Sequence, residues 1–248
     1  MESLSTEHLK KLNLKRIYQG TYLYIHNGTN YCEETFEVLK SKEKSSLQFN
    51  SEMLSRTLKG ELLQANVSYV INQNFIPTLV QIQKQLGKEN CKEIYKFNEN
   101  TNTIEYKFIN RGVVDRKEFK ASSKFHIAAP TSAQSMLFLL TKNFDVMGKQ
   151  VCKIINNDNK WVFKDAPYEV NMIVEKASAS IRNLTLRTHK LKASPYYIYE
   201  ENSHLMTNIN NLNISKPTAH LTVHVSKYHA IPYLIEDKEN GHRIEISK

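Results

Sequence analysis

Residues 61–71 read ELLQANVSYVI, and every second position (Leu63, Ala65, Val67, Tyr69 and Ile71) is apolar. Side chains of an extended strand point alternately to opposite faces, so this spacing gives a strand with one apolar side. The period returns at 103–109, where Ile104, Tyr106 and Phe108 fall on one side and Glu105 and Lys107 on the other. That is the pattern of a sheet wetted on a single face.

Short alternating runs of this kind recur along the whole chain. The first pair is 21–26 and 30–39, joined by Asn27-Gly28, the residue pair that two-residue hairpin turns favour because both positions need positive φ. Further strands are expected at 46–50 and 53–58, taken as a pair, then at 61–71, 78–85, 93–97, 103–109 and 116–125. The second half adds 150–155, 161–164, 169–176, 181–192, 196–201, 219–228, 232–237 and 242–247. Not every one of these runs need be a separate strand, and the spacing predicts about fourteen strands with meander connections. No repeat of 20 to 50 residues is present, which disfavours propellers and solenoids.

With 248 residues, 40% of them hydrophobic, the chain can bury a sizeable core, and 1–248 reads as one β domain with residues 1–18 as a loose N-terminal segment. No run approaches the roughly 18 apolar residues of a membrane-spanning helix. MESLSTEHLKKLNLKRIYQG has lysines without an apolar stretch behind them, so no secretory signal is visible and a cytoplasmic location is the expectation. Cys32, Cys91 and Cys152 are odd in number and widely spaced, which suits core thiols better than a disulfide framework or a zinc site.

One segment breaks the rhythm. In FHIAAPTSAQSMLFLL, residues 125–140, a proline and small residues precede a continuous apolar run. Thr131 or Ser132 can act as an N-cap, and Ala133, Met136, Leu137, Leu140 and Phe144 recur at helical offsets, so a helix is expected from 132 to 142. Phe138 and Thr141 lie on its other side, and an apolar surface on more than one face implies a covered helix. The fold class that reconciles helix and strands is mainly β: a strongly curved antiparallel sheet, open or half-barrel, with one central helix on the concave side. A curved sheet of this size can enclose more space than its side chains fill, so a cavity beneath the helix is expected.

The order of these features resembles that of an uncharacterised bacterial family of open half-barrel β proteins, similar to lipoprotein-carrier and glycolipid-binding half-barrels. The matching parts are GTYLYIHNGTNYCEETFEV, the segment APTSAQSMLFLL after a strand, and HLTVHVSKYHAIPYLIEDKENGHRIEI with its Ile-Pro-Tyr step at 231–233. The resemblance implies a sheet wrapped round a helix, often with an apolar ligand groove. The chain departs from the exported carriers by showing no signal peptide, and its only tryptophan, Trp161, is not set in the lipocalin G-x-W opening.

Catalytic and metal motifs are sparse. Glycines at 20, 28, 60, 87, 112, 148 and 241 are too far apart for a dinucleotide fingerprint, a P-loop or a nucleophile elbow. His220 and His224 share a strand face but stand roughly 13 Å apart at about 3.3 Å per residue, too far to chelate one ion. Glu33-Glu34 and Glu200-Glu201 point to opposite faces and read as solvated charge. No metal, cofactor or catalytic residue is therefore assigned, and His126, near Thr131, Ser132 and Ser135, is the nearest approach to an acid/base group.

Lys and Arg exceed Asp and Glu by 34 to 25, a net +9, and between Glu175 and Glu200 there is no acid while Lys176, Arg182, Arg187, Lys190 and Lys192 are basic. This favours anionic ligands or surfaces, but without a zinc-finger, helix-turn-helix or RNP-like motif nucleic acid is an unlikely partner. The expected function is non-catalytic binding of an apolar or amphipathic, lipid-like small molecule, with basic side chains at the rim meeting an anionic head. Its wall would be Phe125, His126, Ala133, Met136, Leu137 and Leu140, and its floor Tyr106 and Phe108. The alternatives are an enzyme using the same cavity and a protein-interaction scaffold with a filled core.

Overall fold

The structure is a computed structural model that describes residues 13–41, 45–57, 59–141, 148–178, 180–200, 221–226 and 229–247. The first half is a run of eight strands: β1 (Leu14–His26), β2 (Thr29–Ser41), β3 (Leu47–Arg56), β4 (Leu62–Ile71), β5 (Pro77–Leu86), β6 (Glu89–Asn98), β7 (Thr103–Asn110) and β8 (Val113–Lys120). Each pairs antiparallel with the next. The second half comprises β9 (His126–Ile127), β10 (Lys149–Asn156), β11 (Tyr168–Lys176), β12 (Arg182–Leu186), β13 (His189–Glu200), β14 (Leu221–Val225), β15 (Pro232–Asp237) and β16 (His242–Ile246).

One sheet carries them in the order β8-β7-β6-β5-β4-β3-β2-β1-β16-β15-β14-β13-β11-β10-β9, with β12 attached to β13 alone. The two halves join where β16 pairs antiparallel with β1, and among the described residues the one parallel pairing is that of β9 with β10. The turn at Asn27-Gly28 has φ of 48° and 81°, the positive pair the sequence called for. Alternation fixes the inner face: Ala65, Val67, Tyr69 and Ile71 of β4 and Ile104, Tyr106 and Phe108 of β7 are buried. The sheet is open and curved, and it bends far enough for β9 and the loop after β10 to stand against the inner faces of β4 to β7. Tyr69 Oη receives the Ile127 N–H at 2.9 Å, and the Cys91 thiol donates to the Lys160 carbonyl at 3.1 Å.

Several expectations are corrected. Residues 14–18 belong to β1 rather than to a loose segment, and residues 1–12 lie outside the described residues. The hairpin expected at 50–53 is one continuous strand: Asn50 and Ser51 are buried, Asn50 bonding Gln48 and Glu37, and Ser51 donating to Gln134 at 3.4 Å. Residues 161–164 are loop, because the Asn159 side-chain oxygen takes the N–H groups of Lys164 at 2.7 Å and Asp165 at 3.2 Å.

The central helix is the main correction. Residues 133–136 form turns and only Leu137–Thr141 is helical, as a short 3-10 piece. The backbone bonds run i to i+3: Ser135 N–H to Ser132 O, Leu137 N–H to Gln134 O and Leu139 N–H to Met136 O. An α-helix would send the Ser135 N–H to the Thr131 carbonyl, but the Gln134 side chain occupies that carbonyl at 2.9 Å, and the Ser135 and Thr141 hydroxyls take the carbonyls of Ser132 and Phe138. Side-chain competition for backbone acceptors of this sort disfavours regular helix. Lys142 and Phe144 lie outside the described residues.

A carboxylate docks this strap to the inner face. Glu34 Oε2 accepts the Ser132 N–H at 2.6 Å and the Tyr24 hydroxyl at 2.5 Å, and Oε1 accepts the Ala133 N–H at 3.0 Å. Glu34 is wholly buried, which overturns its reading as solvated charge, whereas Glu33 is exposed. The strap then divides its apolar side chains between two cores, Ala133 and Leu137 in the larger and Met136, Phe138 and Leu139 in the smaller. Replacing Glu34→Ala leaves two buried N–H groups and a phenol without their acceptor, at about 1–3 kcal/mol for each unsatisfied group. The expected result is a fall in the urea midpoint of E34A several times larger than that of the exposed neighbour Glu33→Ala, read by chemical denaturation.

Candidate functional site

Two of the expected ligand residues, Tyr106 and Phe108 on β7, pack under the loop after β10, with Phe163 at ring-centroid distances of 6.4 and 6.2 Å. Phe125 meets Phe97 edge-on at 4.9 Å. His126 lies between Tyr69 at 5.2 Å and Phe138 at 5.7 Å. Ala133, Leu137 and Met136 are buried in the two cores, and Leu140 is half-buried and packs against both. The strap thus separates these residues, Ala133 and Leu137 in the larger core and Met136 in the smaller with Leu140 against both, while Tyr106 and Phe108 sit with the loop after β10.

Beside the strap, a cleft of about 440 Å³ opens between β5–β6 and the stretch that runs from β9 into the strap. The sheet lines it with Ile82, Lys84 and Glu93, Ile82 and Glu93 being register partners; Ala128, Ala129 and Pro130 add an apolar stretch, and residues 156–160 with Lys164 add charged and amide groups. Lys84 and Glu93 reach the inner face by strand parity. Lys84 shares its phase with Val80 and Ile82 on β5, Glu93 shares its phase with Cys91 and Tyr95 on β6, and the register sets the two diagonally opposite. The Lys84 ammonium meets Glu93 Oε1 at 2.6 Å.

The other carboxylate oxygen of Glu93 accepts from Asn157 at 2.7 Å, Tyr95 at 3.0 Å and Tyr106 at 3.3 Å. A buried charge survives only when paired and hydrogen-bonded, and here both conditions hold. Burial, followed by the charge of Glu93, pushes the Tyr95 and Tyr106 phenols well above their ordinary range, so both act as neutral donors. Asn159 completes the lock: its amide donates to Tyr106 Oη at 3.2 Å and to the Asp165 carbonyl at 2.8 Å, and its own carbonyl accepts from Lys84 at 3.1 Å. The loop after β10 is fastened to the sheet through asparagine side chains.

Lys84, Glu93, Asn157 and Asn159 were not singled out from sequence. The available signal was charge in the apolar phase of an alternating strand, Lys84 after Val80 and Ile82, Glu93 between Cys91 and Tyr95, and likewise Glu34 between Cys32 and Phe36. The asparagines of 156–159 carry only a turn signal in the sequence.

His126 has the geometry of a structural acceptor. With the Ile127 N–H donated to the Tyr69 oxygen, the phenol proton is free to point at His126 Nδ1, 2.8 Å away. Burial lowers the imidazole pKa to about 3, so it is neutral at physiological pH and a weak base, and its Nδ1 faces the Tyr69 hydroxyl rather than Thr131, Ser132 or Ser135. Among the described residues no group of three or more His, Cys, Asp or Glu could hold a metal ion, and no helix is long and apolar enough to cross a membrane.

No protein-family model and no curated protein matches this sequence. Among solved structures, the chain is similar to the β-barrel-like protein of domain of unknown function DUF1849 from Brucella abortus, at 6% identity and a TM-score of 0.53, over 93% of this chain and 95% of that one. The likeness is one of fold, and it places this chain's architecture beside a bacterial β-barrel-like protein.

The His126 pKa carries a sign. A folded value near 3 against an ordinary 6.5 means that the unfolded chain binds the extra proton between those limits. The stability due to the neutral ring is complete above about pH 6.5 and is lost as pH falls towards 3, at about 1.4 kcal/mol per pH unit. Urea midpoints of the wild type and His126→Gln should therefore converge as the pH is lowered from 7 to 4; a pH-independent difference would contradict a buried neutral imidazole.

Proposed function

We propose that the chain is a non-catalytic binding protein whose half-barrel holds a small amphipathic, lipid-like molecule in the cleft between β5–β6 and residues 128–130. The observation that carries this reading is the cleft itself: about 440 Å³, within the range of small-molecule sites, lined by apolar Ile82 and Ala128–Pro130 together with charged and amide groups. The space under the strap is taken by the strap's own side chains and by Tyr24, Glu34 and Tyr69, so the ligand lies beside the strap rather than beneath it.

Burial of the ligand's apolar part against Ile82 and Ala128–Pro130 supplies affinity at about 25 cal/mol per Å², before the cost of association. Phe125, His126, Ala133, Met136, Leu137 and Leu140 then act as the packed support of that wall, and Tyr106 and Phe108 as the support of the loop opposite. The half-barrel resemblance favours such a role.

A second reading has its own observation. Tyr31, Leu54 and Leu62 are 45%, 42% and 48% exposed and line one hollow of about 420 Å³ at the ends of β2 to β4. An exposed apolar group on a filled core suits a protein-interaction scaffold.

The neutral fluorophore N-phenyl-1-naphthylamine separates the two. Under the first reading it binds the full chain near one-to-one, and Ala129→Trp, which fills the cleft from its apolar wall, abolishes the signal while Leu62→Ser leaves it unchanged. Loss with L62S and retention with A129W would overturn the cleft reading.

A further inference from the structure

Building on the cleft reading, we infer that the polar end of the ligand is an anionic head, a carboxylate or phosphate ester, received by the Lys84 ammonium and by Lys160 and Lys164 at the rim. An ammonium has three N–H donors. Lys84 directs one at Glu93 Oε1 and one at the Asn159 carbonyl, at 2.6 and 3.1 Å. The third belongs to the cleft, which this side chain lines with 19% of its surface exposed.

The cleft's two acids do not cancel the attraction. The Glu93 side chain is 2% exposed, and its second oxygen is covered by Tyr95, Tyr106 and Asn157. Asp158 lines the cleft and accepts the Tyr168 hydroxyl at 3.2 Å, but Lys84, Lys160 and Lys164 outnumber it and Glu93. Because Lys84 and Glu93 together carry no net charge, the long-range pull comes from the excess of exposed Lys160 and Lys164 over Asp158, and Lys84 supplies the directed, charge-assisted bond at depth. Ala128, Ala129 and Pro130 bring no charged side chain to the lining, and Pro130 has no N–H to offer, so the tail lies along this stretch and the head is recognised by the lysines.

The test uses the full chain and dodecyl phosphate, dodecanoate and 1-dodecanol, each below its micellar concentration, displacing N-phenyl-1-naphthylamine. The two anions should bind at least about tenfold more tightly than the alcohol, and added salt should narrow the gap. The double variant Lys160→Glu/Lys164→Glu, at exposed positions, should weaken the anions about tenfold and leave both the alcohol and the fluorophore unchanged. Lys84→Met/Glu93→Gln, which removes both buried charges together, should weaken the anions in the same way. Equal affinity for anions and alcohol, or equal loss of both in the charge-reversed variant, would overturn the inference and leave the cleft reading standing. Displacement by inorganic phosphate as strong as that by dodecyl phosphate would overturn the amphipathic part. Failure of the fluorophore and all three amphiphiles to bind would overturn the cleft reading and this inference with it.

Discussion

The contact between the Glu34 carboxylate and the Ser132 and Ala133 N–H groups sets the rest of the molecule in place. A curved open sheet has an inner face with nothing of its own to cover the middle, and the chain covers it with a segment too irregular to satisfy its own backbone. The first N–H groups of that segment need acceptors, and Glu34 provides them from the adjacent strand face at 2.6 and 3.0 Å. Burial raises the Glu34 pKa, and the donors around it act in the opposite direction. Once Ser132 and Ala133 are fixed, Ala133 and Leu137 fall into the larger core and Met136, Phe138 and Leu139 into the smaller.

The fastening is repeated on the other side of the cleft by different chemistry. There the buried anion is Glu93, its cation is Lys84, and the irregular segment is the loop after β10, pinned through Asn157 and Asn159. In both places a carboxylate on the inner face holds a stretch of chain that could not hold itself. The cleft is lined by residues of both segments, Ala128–Pro130 before the strap and residues 156–160 of the loop, together with the sheet.

Much of the fold was legible because alternation is a backbone property. The inner residues of β4 and β7, the Asn27-Gly28 turn and the closing β15–β16 pair all follow from period-two spacing and turn residues. The strap was legible as a buried apolar segment and illegible as a 3-10 coil, since the decisive bonds come from Gln134 reaching Thr131 and from Glu34, about a hundred residues distant. Asn50 and Ser51 misled for a related reason: polar residues that signal a turn become strand residues when Gln48, Glu37 and Gln134 satisfy them. The candidate site was least legible, because Lys84, Glu93 and Asn159 acquire meaning only when β5, β6 and a loop some seventy residues away converge.

The outermost strand of the first half, β8, has no further strand beside it among the described residues. Its register sets Asp115 opposite Phe108, Lys117 opposite Tyr106 and Phe119 opposite Ile104, so ionic side chains take two of the three places facing the apolar row of β7, and Arg116, Glu118 and Lys120 occupy the other phase. A foreign strand laid along this rim would have to strip water from charges on both of its sides. An architecture that never closes into a cylinder thus replaces closure with hydration, and its unfinished border resists templating the polymer that an equally long greasy border would seed.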